Sequence, residues 1–358
     1  MKNIFFLILI SLSFQLFAQQ APFIDFNRFF KTFYKGNFRQ LEFQPIRSYE
    51  GSDQLTCYID SRGDFKVYDG EEVIPLSNQI VKYQLGDYLL AWNIGPALFY
   101  LDKKEKKLLT TFGNRYEVRD SLLVYEDTRY NSVSVLYKNK TRELYQMVGD
   151  LRMPISYGDN IFVLKDNGDY YKFFWRDSIY DFDVYNRPIQ FSCGRDILCF
   201  NDPINQSFTA FDHGELIDLE ANFVKKYEAG RGFLAYQDQQ GNLWHYQGGE
   251  KQKLSSYTAD NWEVRDDMII WMENSFLYVL ENGKKKQLLN YVPKDYKIKN
   301  KVFVFRNLMG GVSVYFNGKT HELTKQLNAS YEIFGNTVLV QLFNSSFLVF
   351  NEGKTYSY

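Results

Sequence analysis

YEVRDSLLVY at residues 116–125 and WEVRDDMIIW at 262–271 are one phrase written twice. Each reads as a short strand, a turn at an acidic residue and a second, more apolar strand. Seven further stretches share the pattern: YEGSDQLTCY (49–58), YQLGDYLLAW (83–92), ISYGDNIFVL (155–164), FSCGRDILCF (191–200), YEAGRGFLAY (227–236), YKIKNKVFVF (296–305) and YEIFGNTVLV (331–340). The start-to-start steps are 34, 33, 39, 36, 36, 35, 34 and 35 residues. A fixed step of this length marks a repeat architecture.

The columns of the repeat have physical meaning. Positions seven to ten are apolar almost without a break. Side chains alternate between the faces of a strand, so an unbroken apolar run describes a strand buried on both faces. The fifth column holds Asp53, Asp87, Asp120, Asp159, Arg195, Arg231, Asp266, Asn300 and Gly335, mostly residues that tolerate turns. After the phrase, stretches such as SVYFNGKTHELT (313–324) and LYVLENGKKKQLL (277–289) place Asn-Gly between two strand-like runs, a strong hairpin signal.

The unit is therefore four short strands in about 35 residues. Tetratricopeptide and ankyrin repeats have similar periods. They are excluded because the units lack an i, i+3, i+4 stripe and are dense in Tyr, Val and Phe. Four-stranded, doubly buried units repeated radially describe an all-β chain folded as a single β-propeller. Nine units exceed the four to eight blades of most propellers. Either one unit is not a complete blade or the ring is unusually large; the expectation is a ring of about eight blades within a range of seven to nine.

Composition agrees. Aromatic residues make up 18% of the 358 residues, and Tyr and Phe favour pleated, half-buried surfaces. The 42 basic residues balance 43 acidic ones, which argues against a nucleic-acid-binding surface. Residues 1–18, MKNIFFLILISLSFQLFA, read as a secretory signal with Lys2, an apolar run from Ile4 to Leu12, and Ala18 before the cleavage point. The run is too short to span a membrane. The domain plan is thus a signal peptide (1–18), an N-terminal extension (19–45) and the propeller (46–358).

In the extension, Asp25 is placed to cap a short helix whose Phe26, Phe29, Phe30 and Phe33 recur at i, i+3, i+4 and i+7. NFRQLEF then reads as a closing strand. This segment either caps the ring or uses those four phenylalanines to dock a partner.

The sequence offers no catalytic, cofactor-binding or metal-ligating signature. His213, His245 and His321 occupy non-equivalent positions and are expected in turns or on the surface. Cys57 and Cys199 share the apolar ninth column and read as small buried hydrophobes, and Cys193 lies close enough in sequence to Cys199 for a bridge to be conceivable. The interrupted Asp column needs no metal, because turn chemistry explains it. The lysine runs 103–107 and 284–286 read as solvated hairpin tips that blunt edge strands. Trp92 and Trp271 fall in the buried tenth column, whereas Trp175, Trp244 and Trp262 are candidate exposed anchors for a sugar ring.

The sequence ends inside the ninth unit, which reads as periplasmic retention rather than export by a C-terminal sorting domain. FAQQ (17–20) resembles signal-peptide endings of Bacteroidota. With its compact blades, the mature chain is similar in size and character to envelope propellers of that phylum, among them the plug subunit of the type IX secretion translocon. The resemblance implies a non-catalytic periplasmic scaffold with no cofactor, binding a large envelope protein such as an outer-membrane translocon through one face of the ring. The alternatives are a glycan-binding or glycan-processing propeller and a metal-dependent propeller enzyme.

Overall fold

The structure is a computed structural model, and it describes residues 20–358 apart from 147, 149–152, 186, 256–258 and 260. The signal peptide expected at 1–18 lies outside the described residues. Ten antiparallel sheets follow one another along the chain, nine of four strands and one of three. They are blades 1 (20–42), 2 (48–77), 3 (82–110), 4 (113–146), 5 (156–185), 6 (191–220), 7 (226–255), 8 (262–289), 9 (296–324) and 10 (330–357). In blades 2 to 10 the strands pair in simple sequence order. First strands of neighbouring blades pack on each other, which places them innermost, around the central channel.

The ring thus has ten blades, not about eight, and none of the nine sequence units is incomplete. The extra blade is the segment read as an extension. Among the described residues the structure has no helix at 25–33. Blade 1 consists of strands Gln20–Ile24, Phe30–Tyr34 and Asn37–Glu42. The spacing of its phenylalanines fits a helical stripe. It also fits a strand packed on two neighbouring blades, and that packing decides. Asp25 does accept backbone N–H bonds, from Asn27 and Phe29 at 2.9 Å each, but across a loop between two strands.

Blade 1 lacks the innermost strand. In blades 2 to 9 the register shifts near the start of the third strand, where it pairs with the fourth, by one residue in every blade except blade 5, where it shifts by two. In blade 1 the same shift lies at Phe30/Lys31, between its second and third strands. Its three strands therefore correspond to strands two, three and four of the other blades. The inner ring accordingly holds nine strands, one for each copy of the phrase.

Blades 10 and 2 close over the gap. A Cβ on Gly51 would sit 2.7 Å from Pro22 Cγ of blade 1 and 2.9 Å from Phe334 Cδ1 of blade 10. Gly335, at φ +58°, leaves room for Asp53 Oδ1, which lies 0.9 Å from where its Cβ would be. Among the described residues no strand is exchanged at the seam between blades 10 and 1. Instead Phe23 packs on Phe347 at 4.5 Å, and the Tyr358 hydroxyl donates to Asp25 at 3.0 Å while accepting from Lys31.

The core consists of clusters shared by adjacent blades. Leu198 and Phe200 of blade 6, for example, pack with Phe173 and Phe182 of blade 5. Burying both faces of each second strand in this way explains its unbroken apolar run. Cys57 and Cys199 are fully buried, Cys193 is half-buried, and all three thiols are free. A further repeated device is an Asp that opens the loop between the second and third strands. Asp60, Asp127, Asp166, Asp202 and Asp238 each accept backbone N–H bonds within their own loops.

Candidate functional site: a bolted channel floor and an apolar loop face

Each inner strand runs to its turn at one end of the channel, so the fifth-column residues gather there. Four of these turns need glycine in the fourth column because neighbouring tips nearly touch. A Cβ on Gly194 would lie 1.9 Å from the Gly230 carbonyl oxygen, one on Gly158 2.1 Å from that of Gly194, and one on Gly86 2.8 Å from that of Arg119. Gly230 faces the Asp266 carbonyl at the same 2.8 Å. Backbone bonds link tip to tip, from Asp159 N to Gly194 O and from Arg195 N to Gly230 O, both at 3.1 Å.

Arg231 of blade 7 spans this floor. Its Nε meets Asp159 at 2.7 Å, and its Nη2 meets Asp120 of blade 4 at 3.0 Å and Asp87 of blade 3 at 3.3 Å. Its Nη1 reaches Asp267 of blade 8 at 3.4 Å and donates to Asn300 of blade 9. Arg195 adds contacts to Asp120 and Asp159, both 2.9 Å, and Asn300 donates to Asp53 at 3.1 Å. Burial opposes the charge on Arg231, but Asp159, Asp266 and Asp120 outweigh it and hold the guanidinium firmly protonated. Burial, reinforced by Asp87, pushes the Asp53 carboxyl up to about 6. Burial, reinforced by Asp159 and Asp87, pushes Asp120 up to about 7 against the pull of Arg231 and Arg195.

The Asp column is thus gathered as its spacing suggests, and the two arginines that seemed to interrupt it hold it together. Among the described residues, no His/Cys/Asp/Glu group has the arrangement of a metal site. These ion pairs tie blades across the channel. The pairing of Arg with Asp within one turn column, beside glycines in the fourth, was the signal available in the sequence.

The other face of the ring carries the loops between second and third strands and the crossings between blades. Among the described residues, the eight most exposed large hydrophobics, Ile80, Val148, Phe343, Met309, Phe43, Leu308, Phe26 and Leu327, all lie in these loops. Exposure runs from 95% at Ile80 to 64% at Leu327. Phe112, Tyr130, Ile155, Ile204, Phe223 and Val292 extend the set round the same face. On the opposite face, among the described residues, the exposed large hydrophobics at the turns and tips are Tyr88 and Leu216, and the hairpin tips there carry residues such as Lys103, Lys138, Asp177, His213 and Asn317. Monomeric proteins seldom expose contiguous apolar patches beyond a few hundred Å², and larger ones mark interaction sites.

The four phenylalanines expected to act together are divided. Phe26 is exposed on the loop face, and Phe29 is half-buried in the same loop with its ring 6.0 Å from Phe43. Phe30 and Phe33 are fully buried, Phe30 against Tyr49 and Tyr58, Phe33 against Phe38 and Tyr356. Trp175 and Trp262, expected as exposed anchors, are buried, and Trp244 is half-buried with its indole donating to Asp238 at 2.9 Å. His245, expected near the surface, is also buried, which holds its imidazole down at about 4. The lysine runs are not simply solvated: Lys104 bridges to Glu71 and Glu72 of blade 2 at 2.9 and 2.8 Å.

Radially arranged sheets with innermost first strands define a β-propeller. The family described as the 10-bladed beta propeller domain matches residues 15–356, and the chain belongs to it. No curated protein matches the chain in sequence. Among solved structures, the computationally designed Ika8 protein is 11% identical, with 78% of this chain and 96% of that chain covered, at a TM-score of 0.35. PorZ, an essential bacterial surface component of the type-IX secretion system of Porphyromonas gingivalis, is 9% identical, with 77% and 44% covered, at 0.32. Prp20p from Saccharomyces cerevisiae is 10% identical, with 60% and 76% covered, at 0.33. At these values none of the three bears on function.

Proposed function

We propose that the protein is a non-catalytic, protein-binding propeller that docks through its loop face. The observation that carries this reading is the one-sided placement of its most exposed hydrophobic residues. A single exposed Leu or Phe needs no explanation, whereas a face that collects them calls for a covering partner. The bolted floor supports the reading, because a ring tied across its channel presents its loops as one rigid surface.

The finer reading places the protein in the periplasm, delivered by the leader at 1–18, as a subunit that supports or closes an outer-membrane secretion translocon. A photo-crosslinking residue introduced at Phe343 or Met309, and for comparison at Asn317 on the opposite face, tests the docking side in the producing cell. Adducts to one envelope protein from the first two positions and not from the third are expected. Adducts from Asn317 alone, or a gently purified native protein that runs only as a free monomer, would overturn the proposal.

A further inference from the structure

The missing inner strand of blade 1 leaves one carboxylate without a partner. In the second column of the repeat, Gln84, Ser156, Ser192, Glu228, Glu263 and Lys297 each hydrogen-bond the inner strand of the following blade, at 2.8 to 3.2 Å. Glu332 of blade 10 holds the same position, but blade 1, which follows it, has no inner strand to meet it. Among the described residues the Glu332 carboxylate has no hydrogen bond or ion pair, and the residue is exposed.

Glu332 borders a notch of about 210 Å³ at the loop-face end of the seam between blades 10, 1 and 2. Phe23, Leu339 and Phe347 are buried in its wall, and Tyr49 and Tyr331 add two more rings. Ser330 and Gln341 supply further hydrogen-bond acceptors to the same wall. Burial, and after it the charge of Glu332, raises the Tyr49 phenol, so the carboxylate acts across the seam on blade 2. Glu50 of blade 2, which also lacks a bond to the next inner strand, is not on this wall. Among the described residues that line the notch there is no lysine or arginine. The cations beside it are taken. Lys297 donates to the Tyr331 carbonyl at 3.0 Å, Arg306 to the Leu327 and Ala329 carbonyls at 2.8 and 2.9 Å, and Lys31 pairs with Asp25 at 3.1 Å.

We infer that the notch receives an arginine side chain of the docking partner, with the guanidinium on Glu332 and the aliphatic stem along the aromatic wall. The volume is that of one side chain and lies below the ~300–1,000 Å³ typical of small-molecule sites. A guanidinium is planar, weakly hydrated and able to stack on rings, and its N–H fork matches a carboxylate. Its stem covers apolar surface while the head stays on the polar rim. A lipid choline group would bring the charge but no N–H for the acceptors. Filling the notch strips water from the pair, so it acts as a buried charge pair and not as an exposed one. The inference rests on the docking role proposed above and names the chemistry the partner brings.

The probe is a fluorescein-labelled nonapeptide with Arg at its centre and Ser and Leu on both sides, so that its flanks meet the apolar tips; binding is read by fluorescence anisotropy. Two counterparts carry citrulline or norleucine at the centre. The intact protein is expected to bind the Arg peptide roughly tenfold or more tightly than either counterpart. Glu332→Gln should erase that preference with an unchanged melting temperature, because the carboxylate bonds nothing within the chain. Glu105→Gln, exposed on the outer strand of blade 3, makes the same change in net charge and should bind like the unaltered protein.

Equal affinity for all three peptides, no binding of the Arg peptide, or full binding by Glu332→Gln overturns the inference. So does retention on phosphatidylcholine vesicles that Glu332→Gln abolishes, which would assign the notch to a lipid headgroup. Self-association that Glu332→Gln abolishes, read by sedimentation, would assign it to a second copy and overturn it equally. If the Phe343 crosslink to a protein persists undiminished in Glu332→Gln, the notch fails while the docking role stands. If the crosslink is absent in the unaltered protein, the docking role itself fails.

Discussion

Replacing Arg231 with methionine keeps a long side chain and removes the guanidinium bonds that run from blade 7 to blades 3, 4, 5, 8 and 9. Asp87, Asp120 and Asp159 would lose a guanidinium at 3.3, 3.0 and 2.7 Å while staying between 9 and 23% exposed. Removing one partner of a buried ion pair costs about 3–5 kcal/mol, because the remaining charge keeps its desolvation without compensation. Arg195 still reaches Asp120 and Asp159 at 2.9 Å, and Lys299 reaches Asp87 at 3.4 Å. These contacts place the expected loss near the lower end, about 3 kcal/mol at pH 8. For a chain of this size that is a fall of about 4 °C in melting temperature.

The pH dependence makes the prediction specific. Asp53 at about 6 and Asp120 at about 7 lie above their ordinary value of 3.8, so the folded chain holds protons there that the unfolded chain has released. Stability from this pair is lost as the pH rises through 6 and 7 and is restored as it falls towards 4. Without Arg231 the ionised carboxylates are worse off, so the loss should be largest at pH 8 and smaller at pH 5, where Asp120 is protonated in both proteins.

His245, held at about 4, acts in the opposite direction in the same window, but it cancels in the difference between the two proteins. Urea unfolding followed by tryptophan fluorescence at pH 8 and pH 5 gives that difference. An unchanged midpoint at pH 8, or an equal loss at both values, would refute the view that Arg231 neutralises the floor. Adding Asp120→Asn to the variant should recover part of the loss at pH 8.

Three further outcomes are expected. His245→Phe should remove the fall in stability between pH 6.5 and 4 that arises because the unfolded imidazole takes up a proton the buried one refuses; the effect is on the order of 3 kcal/mol across that window, visible in pH-dependent melts. Gly194→Ala sets a methyl group 1.9 Å from the Gly230 carbonyl oxygen and should cost about 2–3 kcal/mol, whereas Gly95→Ala, with nothing within 4 Å, should cost only about 1 kcal/mol for its φ of +58°. Tyr358→Phe should lose about 1–2 kcal/mol at the seam because Asp25 and Lys31 still pair at 3.1 Å, and Tyr358→Ala should lose more, since the rings of Phe23 and Phe38 lie 5.2 and 5.0 Å away.

The propeller was legible in the sequence because its determinants are local and repeated. A buried second strand needs four consecutive apolar residues, as Leu122 to Tyr125 show, and a tight hairpin needs residues that accept positive φ, such as Asn317 and Gly318. The nine copies of YEVRDSLLVY counted the inner strands correctly. They could not count the blades, because blade 1 has no inner strand and therefore no copy of the phrase.

Phe26 to Phe33 satisfies both a helical and an extended pattern over so few residues. Only burial of Phe30 against Tyr49 and Tyr58 of blade 2, and of Phe33 against Tyr356 of blade 10, selects the strand. The candidate site was less legible for a related reason. Arg231 and Asp87 are 144 residues apart and meet only when the ring closes. The apolar tips are isolated Phe, Leu and Ile residues in unrelated loops, and they become a surface only because every blade presents those loops on the same side. Local pattern determined the unit, its strands and its turns; ring closure decided the blade number, the bolted floor and the face.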